Sequence, residues 1–190
     1  MKTKTNLIPR SAILGALLFS GALTVAAFAQ NATPNASSNN MNASKLDWGD
    51  KRFLTKAEKA GMEEVAISRV AAERATNPEV KAFAQKIVAD HESLNKDLTS
   101  LANTEGVTLS SSMEKHDDKL TSKWEKKEAG ADFDKAYLKQ MASDHEDALE
   151  LFGKASKSKN PEIASVASKA LPTLQEHHTR AMELRKTLGE

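Results

Sequence analysis

Two stretches of the sequence place an aspartate and a histidine side by side within a helical pattern. The first is IVADHESLNKDL, with Asp90 and His91, and the second, 54 residues later, is MASDHEDALELF, with Asp144 and His145. Imidazole nitrogens bind transition metals or carry protons, and a nearby carboxylate can orient the ring. Apolar residues recur at steps of three and four around both histidines, so both rings should face the interior of a helical protein.

The same spacing places one further polar residue on the apolar face of each of two other helical segments. These residues are Glu64, in preference to its neighbour Glu63, and His177, in preference to its neighbour His178. A lone histidine on an apolar face is more often a hydrogen-bonded core residue than a metal ligand. Three histidines and one carboxylate, one from each of four helices, favour a shared site. The candidate metal ligands are therefore Glu64, His91, His145 and His177.

Three imidazoles and one carboxylate suit zinc, copper or iron. The alternative is a buried hydrogen-bond network between the histidines and Glu64. A carboxylate-bridged di-iron site is disfavoured, because such sites use Glu-x-x-His on two helices. The residues three positions before the three histidines are Val88, Ala142 and Leu174.

Asp90 and Asp144 precede their histidines directly, so each points about 100° away around its helix. They are either solvated carboxylates or groups that orient a histidine on a neighbouring helix. Counting residues from the turns puts Glu64 level with His91, but leaves His177 about one helical turn from His145. His177 is thus the least secure ligand, and Pro172 within its helix could re-aim it.

The elements that must position these residues are four long helices. Two Asn-Pro pairs mark the starts of the second and the fourth, because proline suits a first helical turn and disfavours helix before it. A long connection between the second and third carries an additional short helical pattern around Leu120 and Trp124. The sequence predicts helices over about 50–76, 78–103, 132–156 and 161–188. This order predicts an all-α, ferritin-like four-helix bundle with a long crossover that carries a short extra helix.

The first 46 residues have a different composition. A basic start, an apolar run and Ala27-Phe28-Ala29 are typical of a secretory signal peptide, predicted over residues 1–29; an uncleaved membrane anchor is the alternative. Residues 30–46 are mostly Asn, Ser, Ala and Thr, which predicts a disordered linker before a bundle domain over 47–190. After cleavage we expect a protein without a further membrane-spanning segment, located in the periplasm or at the outer membrane.

Charge and cysteine content exclude several functions. Residues 1–29 hold 3 of the 27 basic residues and none of the 26 acidic ones, so the mature chain has 24 against 26, a net charge of −2. This argues against nucleic-acid binding. With 0 cysteines there are neither disulfides nor thiolate ligands. We find no motif of a hydrolase or of a nucleotide-binding enzyme.

Three segments together resemble the bacterial exported family called domain of unknown function 4142, whose members are often labelled outer membrane or secreted proteins. They are EEVAISRVAAERATNPEVKAFAQKIVADHESLNKDL, FDKAYLKQMASDHEDALELF and LPTLQEHHTRAMEL, and the similarity as a whole covers about Asp50 to Leu188. The resemblance implies a ferritin-like bundle, a location in the bacterial envelope, and importance for Glu64, His91, His145 and His177. It implies no activity.

The favoured hypothesis is a periplasmic bundle that binds one metal ion and acts in metal handling or stress tolerance. The alternative is a non-catalytic structural or interaction module, with an envelope partner, whose polar core only fixes helix register. A metal-dependent oxidase or oxygen-binding protein is a weaker third hypothesis.

Overall fold

The computed structural model describes residues 46–109 and 113–189; within the helix that begins at Met113, side chains are described from Asp118 onward. The predicted signal peptide and all of the predicted linker except Leu46 lie outside these residues. Leu46 itself is buried against the apolar core, so the packed part of the chain begins at least one residue before the predicted boundary.

The described chain consists of five helices and contains no strand. They are α1 (Trp48–Arg74), α2 (Pro78–Thr104), α3 (Met113–Glu125), α4 (Ala131–Ala155) and α5 (Pro161–Thr187). The helices α1 and α2 form one hairpin, α4 and α5 form the other, and α3 lies on the connection between them and packs on α1. The predicted all-α four-helix bundle with a short extra helix in a long crossover is confirmed.

Asparagine-proline pairs start α2 and α5, as the sequence predicts. The Asn77 side-chain oxygen accepts hydrogen bonds from the backbone N–H groups of Glu79 (2.8 Å) and Val80 (3.2 Å). Asn160 makes the matching bonds to Glu162 (2.9 Å) and Ile163 (3.0 Å). These caps satisfy donors that have no partner inside the helix and so fix where each helix begins.

Asp134 in the first turn of α4 joins the two hairpins at one end. Its carboxylate accepts hydrogen bonds from the backbone N–H groups of Thr76 (3.1 Å) and Asn77 (2.8 Å) and from the Thr76 hydroxyl (2.8 Å). Asp134 is almost fully buried. A buried carboxylate with three donors is well compensated, so it holds the α1–α2 turn against α4.

The apolar core is divided into two clusters along the bundle axis. The Phe83 cluster lies at the end where Asp134 holds the turn, and includes Ile67, Ile87, Trp124, Tyr137, Leu138 and Leu184. The Phe53 cluster lies at the other end, and includes Leu54, Leu98, Phe152, Ile163 and Leu174. On each long helix the polar residue predicted from the spacing falls between the two clusters. The packing thus holds a single polar layer between two apolar ones.

No helix in the described residues is both long and apolar enough to cross a membrane.

Candidate metal centre

The four predicted ligands are all in the buried polar layer. Their exposed fractions are 2% for Glu64, 3% for His91, 0% for His145 and 1% for His177. The apolar residues before and after each of them on its helix pack into the Phe53 and Phe83 clusters, which fixes the height and direction of each side chain. His178 is only half-buried, so His177 is the histidine that faces the interior.

The three histidine rings meet at one point. His145 Nε2 lies 3.4 Å from His91 Nε2 and 3.1 Å from His177 Nδ1. One nitrogen from each ring can be chosen so that all three lie within 4.8 Å of one another, which makes them a possible metal-binding set. The sequence count that put His177 one turn away from His145 measured backbone levels. Ring nitrogens stand several ångströms from the backbone, so the count could not decide this contact.

Glu64 approaches two of the three histidines. Its Oε2 lies 3.2 Å from His91 Nε2 and 3.5 Å from His145 Nε2. It is not part of the mutually close set of three nitrogens. The carboxylate therefore adds a fourth potential donor on the His91 and His145 side of the site.

Partners on the far side of two rings determine where their protons are. His145 Nδ1 lies 2.9 Å from the carbonyl oxygen of Met141, and His177 Nε2 lies 2.7 Å from Asp90 Oδ2. Both partners accept hydrogen bonds, so these two nitrogens carry the protons. The facing atoms, His145 Nε2 and His177 Nδ1, then both carry lone pairs in neutral rings. Although 3.1 Å is a hydrogen-bond length, no proton lies between them.

Two buried atoms in the layer have no hydrogen-bond partner, Glu64 Oε2 and His91 Nδ1. The distance of 3.2 Å from Glu64 Oε2 to His91 Nε2 would allow a hydrogen bond, but the geometry does not make one. A buried polar group without a partner costs about 1–3 kcal/mol, and more when it is charged. In these apolar surroundings the Glu64 carboxylate oxygen has no hydrogen-bond donor, and a bound cation would compensate for that.

The electrostatics keep the imidazoles neutral. Burial lowers the pKa of His91 to about 3 and that of His145 to about 4, each assisted by neighbouring histidines, and burial also lowers the pKa of His177. Burial raises the pKa of Glu64 well above its ordinary value, with further contributions from Asp144 and Glu63. Neutral imidazole is the form that binds metal.

Asp90 takes the orienting role proposed for it, across the helix interface. It accepts hydrogen bonds from His177 on α5 and from Lys86 on its own helix (2.9 Å). Partial burial alone would raise the pKa of Asp90, but these hydrogen bonds outweigh it and hold the pKa below its ordinary value. An ionised Asp90 holds His177 in the tautomer that presents Nδ1 to the site.

Asp144 does not take that role. Its carboxylate accepts both of its hydrogen bonds, of 2.9 and 3.0 Å, from Gln140 on its own helix. No histidine donates to it within the described residues. Burial raises the pKa of Asp144, opposed by Gln140 and assisted by Asp147 and Glu63.

Clefts on opposite faces of the bundle lead to the polar layer, one between α1 and α4 and two between α2 and α5. The α1–α4 cleft has a volume of about 810 Å³, and its lining includes Glu63, Glu64, Trp124, Asp144 and Asp147. The α2–α5 cleft has a volume of about 210 Å³, and its lining includes Asp90, His91, Asp97, Thr173 and His177. A second cleft between the same helices, with a volume of about 670 Å³, is lined by Lys86 and also reaches His177.

Sequence reasoning missed the partners of these groups more than the groups themselves. The Met141 carbonyl, four residues before His145, could not be found because every helical residue has one. The Lys86–Asp90 ion pair has the i, i+4 spacing that would have revealed it. A buried hydrogen bond of 2.9 Å between Ser68 and Tyr137, beside the site, gave no periodic signal.

Comparisons with known proteins agree with the fold. Residues 26–184 match the model of the family described as Domain of unknown function (DUF4142). A crystal structure of a DUF305 fragment from Deinococcus radiodurans is similar, with a TM-score of 0.65 and 11% sequence identity, over 74% of this chain and 97% of that one. At this identity the likeness shows the fold alone. No curated protein sequence matches the chain.

Proposed function

Since the chain belongs to the Domain of unknown function (DUF4142) family, whose name assigns no activity, we propose from its geometry that it binds one transition metal ion. The ligands are His91, His145, His177 and Glu64, one from each long helix. The ion would be zinc, copper or iron, and the protein would act in metal handling or stress tolerance in the bacterial envelope.

One observation carries this proposal: the lone pairs of His145 Nε2 and His177 Nδ1 face each other at 3.1 Å. The Met141 carbonyl and the Asp90 carboxylate hold the protons of both rings on the far side. Two facing acceptors in a dry core repel each other, and only a cation between them reverses the sign of that interaction. A lowered pKa on both rings argues against a bound proton as that cation.

The donor spacing supports the same conclusion. With metal–nitrogen distances of about 2.0–2.1 Å, the donors of a tetrahedral site stand roughly 3.3–3.4 Å apart. Four of the six separations among the candidate donors are 3.1, 3.2, 3.4 and 3.5 Å, and the three imidazole nitrogens all lie within 4.8 Å of one another. The alternative of a structural core held by His-Glu hydrogen bonds is weaker, because Glu64 Oε2 makes no hydrogen bond.

The donor types restrict the metal and the chemistry. Imidazoles and a carboxylate suit borderline cations, and the chain has 0 cysteines to select soft ones by thiolate. One carboxylate without a Glu-x-x-His repeat supports a single ion rather than a bridged pair. A bound ion would connect the two hairpins. The residues around it would orient the ligand rings, exclude water from the site and fix the tautomers of His145 and His177.

Export to the envelope is part of the proposal and is supported by the predicted signal peptide of residues 1–29. The mass of the protein recovered from fractionated bacterial cells tests it. We expect a periplasmic or outer-membrane form that lacks these residues. A full-length form confined to the cytoplasm would refute export without affecting the metal site.

Titration of the metal-stripped protein with zinc, copper(II) and iron(II), followed by calorimetry, tests the binding function. We expect one ion per chain and a higher melting temperature on binding, because a ligand of the folded state stabilises it. His145→Ala removes the donor at the centre of the site and should weaken binding more than about a hundredfold. His178→Ala is the matched control beside the site and should change affinity less than about twofold. Failure of all three metals to bind would refute the proposal.

A further inference from the structure

The clefts differ in the groups that they offer to a cation. In the α2–α5 cleft, the Asp90 carboxylate is already engaged by Lys86 (2.9 Å) and His177 (2.7 Å). The α1–α4 cleft is about 810 Å³, against about 210 Å³ for the α2–α5 cleft and about 670 Å³ for the second cleft on that face, which Lys86 lines. The α1–α4 cleft reaches the polar layer at Glu64.

Three carboxylates line the α1–α4 cleft at increasing depth, from its solvent-exposed mouth to the buried polar layer. Asp147 is exposed, Asp144 one turn before it is half-buried, and Glu64 is 2% exposed. Four lysines also line this cleft: Lys59 pairs with Glu63 (2.6 Å), Lys154 pairs with Glu150, and Lys56 and Lys123 lie in the lining without a carboxylate within ion-pair distance among the described residues. Within the described residues, no lysine or arginine lies within ion-pair distance of Asp144 or Asp147. Asp144 and Asp147 therefore have no direct ion-pair partner there, and the five carboxylates of the lining outnumber its four lysines.

The floor of this cleft connects the carboxylates to the histidines. Glu64 lines the cleft, and its buried Oε2 has no hydrogen-bond partner. The same atom lies 3.2 Å from His91 Nε2 and 3.5 Å from His145 Nε2. An ion that moves from Asp144 to Glu64 would therefore lie next to two imidazole nitrogens and could bind them in a single further ligand exchange.

We propose that the metal ion enters through the α1–α4 cleft, captured by Asp147 and Asp144 and passed by Glu64 to His145 and His91. Carboxylates in a cleft attract cations and raise their local concentration, which accelerates association. Asp144 thus affects the association rate of the metal ion, whereas Asp90 affects the equilibrium affinity. This inference rests on the metal-binding function proposed above.

Stopped-flow mixing of the metal-stripped protein with cobalt(II), followed by visible absorption, tests whether the cleft carboxylates accelerate metal association. We expect Asp144→Asn with Asp147→Asn to slow association roughly three- to tenfold, to leave the equilibrium affinity within about threefold, and to weaken the dependence of the rate on salt. Asp144→Glu should retain the rate of the unaltered protein. Asp97→Asn, in the α2–α5 cleft, is the matched control and should change the rate less than about twofold.

A pair of size variants tests the route without changing charge. Ala60 lines the α1–α4 cleft four residues before Glu64, and Thr173 lines the α2–α5 cleft four residues before His177. Ala60→Leu should slow cobalt association and dissociation by similar factors, since a narrowed passage acts on both directions, while Thr173→Leu should slow neither.

The opposite pattern, in which Asp97→Asn and Thr173→Leu slow binding and the α1–α4 variants do not, would overturn the route while leaving the metal centre intact. Unaltered rates in every variant would overturn it as well. Absence of any cobalt signal in the unaltered protein would instead refute the metal centre, and the route with it.

Discussion

The two Asp-His pairs have the same sequence pattern and different surroundings. On α2, Asp90 reaches across to α5 and accepts a hydrogen bond of 2.7 Å from His177. On α4, Asp144 stays with Gln140 of its own helix and faces the α1–α4 cleft, near Glu63 and Glu64. The helix next to each pair decides its role, because α5 offers a ring N–H to Asp90 and α1 offers further carboxylates to Asp144.

The histidines of the two pairs also differ. His145 donates its Nδ1 proton to the Met141 carbonyl, whereas His91 Nδ1 is buried without a partner. His145 also stands at the centre, in contact with His91, His177 and Glu64. The α4 pair thus supplies the best-oriented ligand of the site, while the α2 pair supplies the group that orients a ligand on another helix.

The largest difference that we expect between the pairs is in metal affinity. Asp90→Asn removes the charged acceptor that fixes the His177 tautomer, and should weaken metal binding roughly 10- to 100-fold. Asp144→Asn should change the affinity less than about threefold. Competition with a chelator of known affinity measures both. Equal losses in the two variants would contradict the assignment of different roles.

The pH dependence of stability should distinguish the two histidines in protein stripped of metal by a chelator. Their folded pKa values of about 3 (His91) and about 4 (His145) lie below the ordinary 6.5. As the pH falls below 6.5 the unfolded state takes up protons first, so stability falls, on the order of 2 kcal/mol per histidine by pH 5.

Other groups act on the same pH range. His177, whose pKa is also lowered, adds to the loss of stability in acid. Glu64 opposes it, because its raised pKa destabilises the folded state increasingly as the pH rises above 4.5.

Urea unfolding between pH 4 and 7 measures this dependence. His91→Asn should flatten it over a wider range than His145→Asn, because the Met141 carbonyl partly offsets the lowering of the His145 pKa. In a Glu64→Gln background, which removes the opposing effect of Glu64, a stability that rises on acidification from pH 6.5 to 5 would show that the histidines are charged in the folded state.

A smaller effect is expected from two glycines, one in each hairpin. A Cβ atom on Gly61 of α1 would lie 2.1 Å from the Asn95 side-chain oxygen on α2, whereas one on Gly153 of α4 would meet nothing within 4 Å. Gly61→Ala requires the Asn95 amide to move away, which offsets its gain in helix propensity, so this variant should be less stable than Gly153→Ala by roughly 1–3 kcal/mol. Gly153→Ala should stabilise the protein by up to about 1 kcal/mol, by helix propensity.

Thermal unfolding of both alanine variants measures these changes, and Asn95→Ala should remove most of the difference between them. A Gly61→Ala protein as stable as Gly153→Ala would mean that Asn95 moves away freely and that α1 and α2 are not held at this distance.

Periodicity alone was enough to find the four long helices and their inward-facing polar residues. The choice of Glu64 over Glu63 and of His177 over His178 followed from steps of three and four, because burial in a bundle repeats at that period. Both inward-facing residues are 1–2% exposed in the structure. The starts of α2 and α5 were predictable for a local reason, the Asn-Pro cap.

The contacts between helices could not be predicted in this way. Whether Asp90 or Asp144 would orient a histidine depends on which helix lies beside each, and periodicity carries no information on neighbours. The level of His177 relative to His145 depended on ring orientation, and the approach of Gly61 to Asn95 on the distance between two backbones. These features arise from tertiary packing and need coordinates.

X-ray absorption spectroscopy of the zinc-loaded protein tests the central claim most directly, because it counts the atoms around the ion. We predict a first shell of three imidazole nitrogens and one oxygen at about 2.0–2.1 Å, with the outer scattering typical of imidazole rings. A shell of oxygen atoms alone, or one with fewer than two imidazoles, would contradict a metal centre built from His91, His145, His177 and Glu64.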